Sequence, residues 1–114
     1  MQVFEQRGTS RPSTVAGQHV FLVRFTNTTE ETMIVDSVSI DPQTTSLQFY
    51  ENAQAVDDAI EPGQTRDVTI WPNVVVTAMN YIYAIDSVDV SITAHSASRG
   101  NFTESQGCTV IASH

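Results

Sequence analysis

The chain has 114 residues, enough for one domain with a real core and too few for two. Thirteen carboxylates against five Arg, with no Lys, give a net charge of −8, a field that repels phosphate backbones and anionic lipid heads and so disfavours nucleic-acid and membrane-surface binding. The lone cysteine, Cys108, excludes an internal disulfide, and the most apolar stretch, Ile70 to Ile85, is too short and too interrupted to cross a bilayer.

Residues 2 to 7 (QVFEQR) read as a short first strand, and the Gly, Ser, Thr and Pro of Gly8 to Gly17 as a loop. Together Met1 to Gly17 form an N-terminal strand or arm, with 18 to 114 as the body of a single domain. The arm has few apolar residues to anchor it, so an ordered arm implies a partner, and Arg7 and Arg11 are its candidate contacts. The segment MQVFEQRG has neither the basic nor the apolar region of a signal peptide. The expectation is a chain that acts inside a cell, is a mature fragment, or reaches the outside through lysis.

His19 to Ile40 holds two runs rich in β-branched and aromatic residues around a polar Asn-Thr-Thr-Glu-Glu-Thr turn. Phe21, Val23 and Phe25 fall on one face, Arg24 and Thr26 on the other. In the second run Met33 and Val35 share one parity while Val38 and Ile40 share the other, which requires a bulge near Asp36 and Ser37. Ser46 to Tyr50 gives a short strand with Leu47 and Phe49 on one face. Glu51 to Ile60 has only Val56 and Ile60 as larger apolar residues and reads as a loop or single helical turn. Its carboxylates, Glu51, Asp57, Asp58 and Glu61, lack the alternating ligand pattern of a calcium loop.

Glu61-Pro62-Gly63-Gln64 is a type II turn signal, since Pro presets φ and Gly supplies a positive one. It leads into a strand in which Val68 and Ile70 face the core, which either turns Trp71 outward or lets it fold over the sandwich end as a core cap. Val74 to Val76 looks like a strand, and the run to Ile85 stays open between strand and helical turn. Val88, Val90, Ile92 and Ala94 alternate with Asp89, Ser91, Thr93 and His95, and a last strand follows from Phe102 to Ala112 with Gly107 as a candidate bulge.

About seven short strands with turns every eight to twelve residues argue for an all-β fold, a two-sheet antiparallel sandwich, with a small barrel as the alternative. The pattern VRFTNTTEETMIVDSVSI, IEPGQTRDVTI, DVSITAHS and GCTVIAS, spanning residues 18 to 113, resembles the disulfide-free immunoglobulin-like modules found as accessory domains on prokaryotic and viral surface proteins. That resemblance implies a seven-stranded immunoglobulin-like sandwich that binds, spaces or decorates rather than catalyses.

The chain carries no phosphate loop, nucleophile elbow, HExxH or EF-hand, so no enzyme, metal or cofactor is expected. His19 and His95 sit near strand ends at no metal-ligand spacing and read as outward, solvated side chains. Cys108 reads as a buried, inert thiol. Asn27 and Asn101 head glycosylation sequons in turns, relevant if the protein is exported. Trp71, with Tyr81 and Tyr83 on a similarly exposed run, forms the candidate partner surface, for a protein partner, self-assembly or a glycan. The expectation is a virion or cell-surface accessory subunit, with the lack of Lys suiting high salt or reflecting compositional drift. A secreted glycan- or protein-binding domain cut from a longer chain is the second reading.

Overall fold

The computed structural model describes residues 1–6, 17–77 and 85–113, and these contain ten strands and no helix. The strands are β1 (Gln2–Gln6), β2 (Gly17–Gln18), β3 (Phe21–Thr26), β4 (Met33–Pro42), β5 (Leu47–Tyr50), β6 (Ala53–Ile60), β7 (Thr65–Ile70), β8 (Asn73–Val76), β9 (Ser87–Ser96) and β10 (Gly100–Ser113). Seven form one mixed sheet in the order β6-β4-β9-β10-β1-β3-β7, and three form a second in the order β2-β8-β5. The large sheet curls towards a barrel, bringing its edge strands β6 and β7 together where Arg66 Nη1 meets Asp58 Oδ2 at 2.7 Å.

The two sheets share a ladder. Gly17 pairs with Val74, Phe21 with Ile70 and Thr26 with Thr65, one unbroken antiparallel register. Between the assigned strands the His19 amide donates to the Pro72 carbonyl at 3.1 Å, so β2 with β3, and β7 with β8, run as two long strands. β5 then adds to the far side of β8, pairing Tyr50 with Asn73.

The core follows the expected alternation. Phe21, Phe25, Val68, Val88, Val90, Ile92 and Ala94 are all buried, with Leu47, Phe49 and Ile70 beside them. The bulge in β4 lies where the parity switch requires it, as a register shift between Val35 and Ser37. Gly63 has φ 79° in the turn after Pro62.

Four expectations are corrected. Glu51 to Ile60 is neither loop nor helical turn: β6 pairs with β4, because an edge strand outside the core needs few large apolar residues. The sheet is not wholly antiparallel, since β1 runs parallel to the end of β10. β1 needs no partner to hold it, because Val3 is fully buried between β10 and β3; residues 7–16 of the expected arm lie outside the described residues. Gly107 marks no bulge, as its register with Asp89 is continuous. A Cβ there would come within 2.7 Å of Gln43 Nε2, the end of an exposed side chain that crosses over it to Asp89 and would have to shift aside.

Candidate interaction surface

In strands β1, β3 and β7 and in the end of β10, two consecutive apolar residues occur where alternation calls for one: Val3-Phe4, Phe21-Leu22, Ile70-Trp71 and Val110-Ile111. In a strand, consecutive side chains point to opposite faces. One member of each pair therefore enters the core, and Val3, Phe21, Ile70 and Val110 are buried. The other member stands on the outer face.

The register sets these outer residues in rows. Ile111, Phe4, Leu22 and Thr69 lie side by side across four strands. The continued ladder sets Val20 opposite Trp71 in the next row. Beyond them the outer face of β8 and β5 carries Val75 and Tyr50. The five exposed large hydrophobics among the described residues are Ile34, Tyr50, Trp71, Val75 and Ile111, at 38–48 % exposure, and four of the five share this face. Such convergence, unlike scattered exposure, makes this face the candidate interaction surface.

One charged pair borders the patch. Arg24 and Asp67, cross-strand neighbours, make two hydrogen bonds at 2.9 and 3.2 Å, and the guanidinium lies 5.0 Å from the Phe4 ring centroid. The Arg24 hydrogen bond holds the Asp67 carboxyl below its ordinary range. Each charge cancels the other, so the face as a whole is neutral on a chain of net charge −8.

The opposite outer face has a different composition. Ala55, Ser37, Thr93 and Thr103 form one row across β6, β4, β9 and β10, and Ala53, Ser39, Ser91 and Ser105 form the next. Hydroxyls bond one another, Ser91 to Ser105 at 2.9 Å and Thr93 to Thr103 at 3.4 Å. These two rows are polar, uncharged and composed of short side chains, and the next row on the same face sets the carboxylates Asp41 and Asp89 side by side.

Beneath the apolar face lies a buried polar pair. Glu5 Oε1 and His19 Nδ1 are 2.6 Å apart, both side chains nearly inaccessible, and the imidazole stacks on Phe21 with ring centroids 6.0 Å apart. His19 was expected to face solvent and does not; its odd parity, shared with Phe21 and Val23, was the available signal. Its buried partner Glu5 is on β1 beside Phe21. His95 is partly exposed and contacts Asp36 at 3.1 Å.

Trp71 stands outward, at 46 % exposure, the first of its two readings. Tyr81, Tyr83, Arg7 and Arg11 lie outside the described residues. Asn27 is no surface acceptor. It is buried; its Nδ2 donates to the Glu31 and Ile60 carbonyls and its Oδ1 accepts from the Thr29 amide and hydroxyl, so the nitrogen a glycan needs is committed to the turn. Asn101 is exposed on β10. Cys108 is buried, and desolvation pushes its thiol up, consistent with an inert role.

Two open clefts lie elsewhere. One of about 350 Å³ is lined by Pro42, Gln43, Leu47 and Asp86, the other of about 470 Å³ by Glu30, Glu31, Ser98 and Arg99. Neither lining pairs a nucleophile with a histidine base, and among the described residues no three His, Cys, Asp or Glu side chains gather as a metal site. Comparison with family models, with curated proteins and with solved structures returns no match.

Proposed function

We propose that this protein is a non-enzymatic interaction module that docks through the outer face of β10, β1, β3 and β7. The observation that carries the reading is the gathering of Trp71, Ile111, Tyr50 and Val75 on one face, while the centre of the opposite face is two rows of hydroxyls and alanines beside Asp41 and Asp89. Large, rigid aromatic side chains beside aliphatic ones are what interface centres are made of.

In this reading the curled sheet acts as an immunoglobulin-like sandwich, with β1, β3 and β7 packed against β6, β4, β9 and β10. Antiparallel pairing of β1 with β3, parallel pairing of β1 with β10, and the β4-β9-β10 order support it. The setting proposed is a virion or cell-surface assembly in which the chain is an accessory subunit. The acidic, Lys-free composition supports a salt-rich exterior.

Hydrogen exchange on the isolated protein and on its native assembly tests this. Amides of residues 2–6, 20–24 and 67–75 should gain protection in the assembly, while those of Ser37, Ser91 and Thr103 should not. Equal protection of the apolar face in both states would remove the docking role.

A further inference from the structure

We propose that the apolar face packs against the same face of a second copy of this chain, about a twofold axis lying between β3 and β7 and parallel to them. This rests on the reading of that face as a docking surface and names its partner. The argument comes from charge. A chain of net charge −8 resists association with itself wherever carboxylates would meet. On this face the only charges in the described rows are Arg24 and Asp67, both with side chains more than 40 % exposed and one strand apart. A rotation about the proposed axis exchanges the two strands, so Arg24 of one copy lies over Asp67 of the second copy, twice. A plus-minus pair of this kind is self-complementary, which an isologous interface requires.

The same rotation sets Trp71 over Val20 of the second copy, again twice, and leaves Leu22 and Thr69 beside the axis. Strands about 4.8 Å apart and rows about 6.8 Å apart give a patch of roughly 20 by 30 Å, or ~600 Å² per copy. That is below the ~800 Å² per partner of a standard stable interface, and the outer face of a curled sheet is convex, so the dimer is expected to be weak and to form as protein concentration rises. An anionic membrane or nucleic acid is disfavoured as occupant by the chain's overall field, and a strongly basic partner finds no excess of carboxylates on this face.

Sedimentation equilibrium from micromolar to submillimolar protein reads the result. The expected species has twice the 12.5 kDa chain mass and tightens several-fold with added NaCl as repulsion between copies is screened. Thr69→Glu, which sets two carboxylates together at the axis, should give a monomer, and Ser91→Glu on the opposite face should not. Arg24→Asp and Asp67→Arg should each be monomeric alone yet form a heterodimer when mixed, an outcome that misfolding cannot produce. A wild-type chain monomeric throughout, or a dimer indifferent to Thr69→Glu, overturns the proposal. If that chain's face is still protected in the native assembly, docking stands with another partner; if it is not, both readings fall.

Discussion

Asn27 shows how much one side chain can hold. Its amide joins the β3–β4 turn to the end of β6 through the Ile60 carbonyl at 2.8 Å, and the backbone of the same residue pairs with Gly63 and Gln64. Asn27→Ala takes a buried donor from the Ile60 carbonyl, while the Thr29 hydroxyl still reaches that of Glu31, and should cost about 1–3 kcal/mol in urea unfolding, whereas Asn101→Ala should change little. In a glycosylating host, mass spectrometry of the secreted chain should find sugar on Asn101 and none on Asn27. The Glu5 and His19 pair invites a second measurement: His19→Leu takes the 2.6 Å contact from buried Glu5 and should cost about 1–3 kcal/mol. A loss below one kcal/mol in the melt would mean the pair contributes little to holding the ladder. Carboxylates also set the acid limit. Glu31 is held below its ordinary 4.5 by hydrogen bonds from Ser96, then Ser98, and Asp67 below 3.8 by Arg24. Their folded values lie under the unfolded ones, so the stability they add is complete above those ordinary values and is lost as pH falls through the lower folded ones. Melts taken from about pH 5 to about pH 2 should fall, and Glu31→Gln should flatten the decline; an unchanged slope in that variant removes Glu31 from the account.

At the scale of elements, the strands with one apolar and one polar face were legible in the sequence, because period-two alternation states both the element and its orientation. β9 and the bulge of β4 are of this kind. β6 was not legible: AQAVDDAI has no apolar periodicity, and its extended form comes from pairing with β4, a tertiary cause that local sequence does not carry. Only the Trp71 part of the candidate surface was legible. Phe4, Leu22 and Ile111 join it through cross-strand register, and no single strand reveals that three others place their second apolar residue on the same side. Register likewise explains the importance of β1. It fills the gap between β3 and β10, so deleting residues 1–6 should expose Val23 and Val110 and yield a chain without cooperative unfolding, checked by near-ultraviolet circular dichroism and denaturant titration.

For the molecule as a whole, net charge is a contribution that opposes the fold and that salt can change. Each described arginine is engaged with a carboxylate, Arg24 with Asp67, Arg66 with Asp58 and Arg99 with Glu104, so most of the thirteen carboxylates have no arginine to neutralise them. Screening shortens that repulsion to about 3 Å near 1 M salt, so the melting temperature should rise with NaCl. A melting temperature that stays level would remove salt adaptation from the account and leave the composition without functional meaning.

The parallel pairing of β1 with the end of β10 has a mechanical consequence. Val3 lies beside Val110 and Gln6 beside Ser113, with both strands running the same way. Tension applied at Gln2 and at Ser113 therefore pulls the two strands along their length in opposite directions. All the bonds between them are loaded together in shear, and they cannot open one at a time as in an unzipping hairpin. A link in an extended assembly would gain resistance to stretching from this arrangement, and the resistance would come from the strand that begins the fold.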